Sequence, residues 1–357
     1  MRREKLLEAL KVASPVKSDV AVFDKGWIRT LHESFSVSYK FDTGVKGVLS
    51  IYELIKVLKM MKSHTVTITS NGDQVVFKCG ASELSLSTKF DPCAPFYDTE
   101  HIETFLETMD LDNVKWSPIP PRLMEGLKLS LLCAEDYEIG KLTGIVITNG
   151  VVLSTDNYRI SMYDLVDEME QDVRLRTKTV KTILKMKKPF DFVGFSEQWF
   201  HLKSKDNLIV SLKLLPLTYY PTEDIIPVFD KDSDEVYELP ANLERFIDRA
   251  EVFAGIGVGE LNFSNQITLK SEDGHLVVTG KNGIGQLISK LPWNGYLPEV
   301  TITPDTLKQV MGITREFKVI RGFDPSIIKF QIPGFQLVVQ GKAEERKEGE
   351  ENGTQGN

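Results

Sequence analysis

The apolar positions of this chain follow one supersecondary pattern that returns three times, about 120 residues apart. The clearest copies are SIYELIKVLKMMKSHTVTITSNGDQVVFK from Ser50, RTKTVKTILKMKKPFDFVGFSEQWFHLK from Arg176 and TPDTLKQVMGITREFKVIRGFDPSIIKF from Thr303. Each opens with apolar residues at helical spacing: Leu54 and Leu58, Val180 and Leu184, Leu307 and Met311. A strand, a polar turn and a second strand follow in every copy. A second family of helices lies upstream, in EKLLEALKVA from Glu4, PPRLMEGLKLS from Pro120 and PANLERFIDRA from Pro240. A unit this long is a whole domain, far larger than a solenoid repeat. The pattern predicts three similar α+β domains, each with two helices packed on antiparallel sheet.

Breaks in the pattern set the boundaries. DLDNVKWSPIPP, residues 110–121, holds three prolines that stop helix, and PVFDKDSDEVYELP, residues 227–240, is acidic and bounded by prolines. They divide the chain into domains at 1–113, 114–231 and 232–341. The remainder, 342–357, has no apolar side chain beyond alanine and cannot offset its ordering entropy, so it is expected to be a disordered charged tail. With 357 residues, 41% of them hydrophobic, each third can bury a core of its own. Cys79, Cys93 and Cys133 show no metal or redox spacing, as in a reduced intracellular protein. The charged opening MRREKLLEALKV is unlike a signal peptide, and no apolar run reaches the length of a membrane span. These features predict a soluble, cytoplasmic protein without a membrane partner.

Charge changes the picture more than composition does. The net charge of −8 argues against a generic nucleic-acid binder. Its distribution is uneven: residues 176–188 alone carry +6, and the six helical segments together carry +10 against −18 for everything else. Lysine is also a good helix former on a solvated face, and that plain explanation fits the composition as well as DNA binding does. The middle helix adds a geometric argument. Lys178, Lys181, Lys185 and Lys188 are spaced three, four and three, on one face, apart from an apolar face of Val180, Ile183 and Leu184. Like charges so placed repel unless a polyanion supplies counter-charge. Lys56 and Lys59 repeat the arrangement more weakly in the first domain.

Candidate chemistry is sparse. Gly255, Gly257 and Gly259 imitate part of a dinucleotide fingerprint, but a helix precedes them and a strand follows, the reverse of what that motif needs. They read as a helix stop and turn. Gly280 and Gly283 to Gly285 read as a hairpin turn. No two of His32, His64, His101, His201 and His275 stand at ligand spacing. No positioned nucleophile, base or metal cluster emerges, so no cofactor or metal is expected, and an enzyme on a repeated scaffold is the weakest of the functional classes.

One stretch is more specific. LTGIVITNGVVLSTDNYRISMYDL, Leu142 to Leu165, resembles the middle domain of the bacterial sliding clamp, the beta subunit of DNA polymerase III. In that family a glycine-containing strand leads through a turn to Thr-Asp-Gly-His-Arg; the matching residues here are Thr155, Asp156, Asn157, Tyr158 and Arg159. Asn157 replaces glycine, a mild change because asparagine tolerates a left-handed turn. PLTYYPTEDIIP, Pro216 to Pro227, resembles the family's segment between the middle and last domains. The resemblance covers roughly residues 1–341. SPVKSDVAVFDKG matches the family's early proline-containing loop only loosely, and FQLVVQG runs on into a charged tail where the family ends on a short apolar terminus. Such divergence looks more like a phage or plasmid version than a chromosomal one.

The resemblance implies a three-domain DNA-clamp fold in which two head-to-tail chains form a ring. It implies a processivity factor that encircles double-stranded DNA and tethers the replicative polymerase, with a clamp loader as a further partner. Basic helices would then face the DNA, with Lys178, Lys181, Lys185 and Lys188 on the inner wall and Lys56, Lys59 and Arg122 as weaker contributors. It also implies an apolar pocket for a short partner peptide, lined by Leu142, Thr155, Ile160 and Pro227, with Val338 on the terminal strand. Gln340 stands where the family has an apolar residue. Leu142 and Ile160 have a plain rival reading as core residues. The alternative function is a non-ring DNA-binding or protein-interaction module that keeps the clamp fold.

Overall fold

The computed structural model describes residues 1–15, 20–88, 99–134, 143–156, 158–217, 222–255, 266–321 and 326–341. The tail, Cys93, Leu142 and Asn157 therefore lie outside the described residues, as do residues 256–259 of the glycine-rich stretch. The element order runs three times through helix, four strands, helix, three strands. The first pass is α1 (Arg3–Ala13), β1 (Val20–Asp24), β2 (Trp27–His32), β3 (Phe35–Lys40), β4 (Gly47–Ser50), α2 (Ile51–Met60), β5 (Thr67–Asn71), β6 (Gln74–Cys79) and β7 (Ser82–Ser87). After α3 (Thr99–Met109) and β8 (Ser117–Pro118) come α4 (Leu123–Ser130), β9 (Ile145–Thr148), β10 (Val151–Thr155), β11 (Arg159–Asp164) and β12 (Val173–Leu175). That second pass closes with α5 (Thr177–Met186), β13 (Phe192–Ser196), β14 (Trp199–Lys203) and β15 (Leu208–Lys213). After α6 (Thr222–Phe229) and β16 (Val236–Glu238) come α7 (Glu244–Ala254), β17 (Ile267–Glu272), β18 (His275–Lys281), β19 (Gln286–Pro292) and β20 (Val300–Ile302). The third pass closes with α8 (Pro304–Met311), β21 (Glu316–Ile320), β22 (Ile327–Ile332) and β23 (Phe335–Gln340).

Local chemistry explains the repeated helices. The Ser50 hydroxyl accepts from the Glu53 amide (3.4 Å) at the start of α2, which then buries Ile51, Leu54 and Leu58. Pro304 opens α8 where its missing N–H costs nothing. In the first pass Leu6 and Leu10 of α1 meet Leu54 and Leu58 of α2 over Phe23, Ile28, Val75 and Phe77, one continuous apolar core.

The chain forms two compact units. The first comprises Met1–Lys128, Gly144–Gly150 and Val166–Thr218. It holds an antiparallel sheet in the order β4-β1-β2-β3-β15-β14-β13-β8, a smaller sheet β5-β6-β7 and the pair β12-β9. The second unit comprises Leu129–Thr143, Val151–Leu165 and the chain from Tyr219 onward. It holds the strands β10-β11-β23-β22-β21-β16 and the sheet β19-β18-β17-β20. One rule joins successive repeats: the third strand of one repeat's first meander pairs with the last strand of the next repeat. In the first unit β3 meets β15, with Val37 opposite Val210. In the second, β11 meets β23, with Ile160 opposite Val338.

Several expectations need correction. Each repeat carries the two helices that the sequence pattern predicts, and α3 and α6 are additions between repeats. Pro216–Pro227 is not simply a linking segment, because α6 carries Pro227 inside it. Gly280 lies within β18 rather than in a turn. A Cβ there would sit 2.2 Å from the Ala250 carbonyl of α7, so glycine lets the helix approach the sheet. The turn itself is built by Asn282, whose Oδ1 accepts from the amides of Ile284 (2.8 Å) and Gly285 (3.0 Å). Finally, α5 ends at Met186 with Lys187 in the left-handed region (φ 51), so Lys188 stands beyond the helix rather than on its face.

Candidate functional site

The basic candidates sit on the first unit. On α5, Thr177, Thr179, Val180 and Ile183 are buried, while Leu184 is half-buried. That leaves Lys178 and Lys185 exposed and Lys181 half-buried on the other side. Lys188, also half-buried, has left the helical stripe but stays near it. With Lys185, Thr182 and Met186 it lines a cleft of about 420 Å³ whose other wall is Glu8, Lys11, Val12 and Pro15. Lys11, from the end of α1, thereby joins the cluster. The sequence stripe did not include it, because α1 and α5 are far apart in the chain. Lys56 and Lys59 are exposed on α2, opposite its buried Ile51, Leu54 and Leu58. Arg122 is exposed at the start of α4 with a left-handed backbone (φ 67), and its guanidinium is bonded to Glu125 at 3.2 Å. Much of its charge is therefore answered locally.

The corresponding helices of the second unit behave differently. Lys308 of α8 reaches α7 and bonds Asp248 (2.7 Å) and Glu251 (2.6 Å). Those two carboxylates raise its pKa well above the ordinary lysine value. The third repeat thus engages its helical lysine internally, whereas Lys56, Lys59, Lys178 and Lys185 of the first two are exposed.

The partner-site candidates belong to the second unit, and strand register brings them together. Thr155 of β10 lies opposite Ile160 of β11, Ile160 opposite Val338 of β23, and Val338 opposite Lys329 of β22. Directly opposed residues share a sheet face, so these four form one row across four strands. Thr155 and Val338 are buried and Ile160 is half-buried. Pro227 is exposed on α6. That helix ends on the same face, because the Lys329 Nζ donates to the carbonyls of Phe229 (2.7 Å) and Lys231 (3.0 Å). Thr155, Ile160 and Val338 are thus neighbours in one row, the end of α6 is held at that row's fourth member, Lys329, and Leu142 is outside the described residues. Gln340 is exposed at the end of β23, its amide donating to the Tyr158 carbonyl at 2.9 Å.

The Thr-Asp-Asn-Tyr-Arg motif has a structural role of its own. Asp156 Oδ1 accepts from the amides of Tyr158 (3.1 Å) and Arg159 (2.8 Å), which folds the turn after β10. The Arg159 guanidinium bonds Asp156 through both Nε and Nη2, and its Nη1 donates to Thr306 Oγ1 of α8 (2.6 Å). The motif therefore fastens the β10–β11 hairpin to the third repeat's second helix. Beneath it the Cys133 thiol is fully buried, and desolvation pushes its pKa up to about 12.

No family model matches the chain, and no curated protein matches its sequence. Solved structures do resemble it over nearly its whole length. The DNA polymerase III beta chain of Streptococcus pneumoniae superposes with a TM-score of 0.71 at 15% identity, covering 95% of this chain and 97% of that one. The pol III beta of Caulobacter crescentus gives 0.71 at 16% identity, over 95% of this chain and 98% of its own. The beta subunit of Thermotoga maritima gives 0.67 at 15% identity, over 95% and 97%. The chain has the fold of these beta subunits, an α+β architecture of helices on antiparallel sheets.

Proposed function

We propose, from the DNA polymerase III beta-chain fold, that this protein is a DNA sliding clamp: two copies close head to tail around duplex DNA and tether the replicative polymerase. The likeness over 95% of the chain is the observation that carries the reading. In this reading the three passes are three clamp domains, near 1–113, 114–231 and 232–341, and a clamp loader opens the ring. The protein is a cytoplasmic replication factor whose task, topological attachment, needs no catalytic step. No described helix is long and apolar enough to cross a membrane.

The joining rule supports closure by a second copy. It pairs β3 with β15 and β11 with β23, and its next term pairs β19 of one chain with β7 of the other. Both are edge strands among the described residues. An edge of unpaired N–H and C=O groups is a ready template for a further strand. Six domains then surround the duplex. Lys178, Lys181, Lys185 and Lys188, with Lys56 and Lys59, face its phosphates, and Arg122 contributes less because of Glu125. Contacts to phosphate carry no sequence information, which is what sliding requires. Partner peptides bind at the face formed by Thr155, Ile160, Val338 and Pro227.

Polymerase run length on primed circular DNA, with and without this protein and a loader, tests the function. The reading expects long products only with both present; equal product lengths in all reactions would overturn it.

A further inference from the structure

Lys329 is the least expected side chain on the sheet face that carries the partner-site row. It is 3% exposed, and burial lowers its pKa, so its charge is held at a cost. A buried lysine is tolerable only when its ammonium protons are taken up, and here two go to main-chain carbonyls of a single segment, Phe229 and Lys231. Its cross-strand neighbour Lys318 points the same way and bonds Asp232 of that segment at 2.7 Å. Two adjacent lysines therefore grip residues 229–232.

The segment they grip needs an external hold. α6 has eight residues and contains Pro227. Proline has no N–H to give the carbonyl four residues back, and its ring crowds that carbonyl, so an eight-residue helix so interrupted is weak by itself. The last carbonyls of a helix carry partial negative charge, which a cation placed against them stabilises. Lys329 supplies that cation from the strand beside Val338.

We infer that Lys329 is a positioning residue for the partner site: its ammonium docks the end of α6 onto the sheet, and this fixes Pro227 beside the Thr155–Ile160–Val338 row. The inference rests on the partner-site reading given above. Partner affinity then depends on the fraction of molecules with α6 docked, although Lys329 itself touches no partner.

The test combines two measurements on the full chain. The first is binding of overlapping fluorescein-labelled synthetic peptides that tile the replicative polymerase, followed by anisotropy. The second is hydrogen exchange of the α6 amides. Lys329→Met, which keeps the apolar stem and removes the charged donor, is expected to weaken the best peptide about tenfold or more. Exchange within 222–231 should rise by a similar factor while β17 to β19 stay protected. Lys329→Arg, which can still donate to both carbonyls, should restore most of the affinity. Should the Met variant fail to fold, Lys329→Gln carries the same test with a polar head. Unchanged peptide affinity and unchanged α6 exchange in a folded variant would overturn the inference. If no peptide binds the wild-type protein, the partner-site reading fails instead, and the exchange measurement alone decides whether Lys329 docks α6.

Discussion

Removing the α5 lysines should change the salt dependence of DNA association without unfolding the protein. Lys178 and Lys185 are exposed, Lys181 and Lys188 half-buried, and the apolar face of Val180 and Ile183 is separate from all four. Each phosphate neutralised by a lysine contributes about 0.9 to the slope of log affinity against log salt, so one contact weakens binding roughly 3.5-fold for a fourfold rise in salt. Two exposed contacts are then worth roughly tenfold over that range, and all four roughly 150-fold. Lys178→Ala/Lys185→Ala should therefore lower the slope by about 2, and the quadruple variant by between about 2 and 4. The assay is fluorescence anisotropy of a labelled duplex titrated at several KCl concentrations, with melting temperature as the control for folding. Alanine is a better helix former than lysine, so helix α5 should persist. Lys308→Ala is the internal comparison: its ammonium is already held by Asp248 and Glu251, so it should lower stability slightly and leave the slope alone. An unchanged slope in the quadruple variant, or an equal loss in Lys308→Ala, would refute the assignment of α5 to the DNA-facing wall.

Other consequences are as direct. Ile288, 49% exposed on the β19 edge, belongs to the proposed chain–chain contact, so Ile288→Asp should shift the sedimentation equilibrium toward monomer; an unchanged dimer constant would count against that edge. Gly280→Ala should cost about 1–3 kcal/mol by forcing α7 off the sheet, read as a drop in urea midpoint; a wild-type midpoint would contradict the close approach. His201 is buried with Nε2 against Ser196 Oγ (3.0 Å) and Nδ1 against Ser211 Oγ (2.8 Å), and desolvation lowers its pKa to about 4. The unfolded chain protonates this residue near pH 6.5 and the folded one only near 4, so stability is full above 6.5 and falls as pH drops through that window, by roughly 3 kcal/mol in all. Urea titrations of wild type and His201→Gln at pH 7 and pH 4.5 should differ in pH dependence by most of that amount; parallel curves would exclude it. The Cys133 thiol should resist maleimide at pH 8 in the native protein and react once unfolded; prompt native labelling at that residue would show the burial to be wrong.

The helical triplet was legible because periodicity is local: Leu54 and Leu58 declare the buried face of α2 without any tertiary information. The same kind of signal exists for α3, where Ile102, Phe105 and Met109 stand at helical spacing, although it sits outside the repeat. For α6, Pro227 argued against a helix that tertiary contacts nevertheless hold. Lys178, Lys181 and Lys185 lie on α5, and Lys188 falls outside it because Lys187 takes a left-handed conformation that spacing cannot reveal. The partner-site row was beyond reach from spacing alone. It depends on Ile160 meeting Val338 across a strand pair whose members lie far apart in the chain, so nothing in the spacing marks Lys329 as its fourth member. Lys308 is a similar case: its pairing with Asp248 and Glu251 depends on the contact between α7 and α8, which spacing does not reveal.

Encirclement is a topological property, and retention on DNA of different topology tests it without ambiguity. The protein would be loaded by a clamp loader and ATP onto a nicked circular plasmid, then passed through gel filtration in high salt before and after the plasmid is cut once with a restriction enzyme. A closed ring stays with the circle at a salt concentration that dissolves ordinary phosphate contacts, and slides off the linear form. Loss from the circle in high salt, or equal retention on circular and linear DNA, would contradict encirclement.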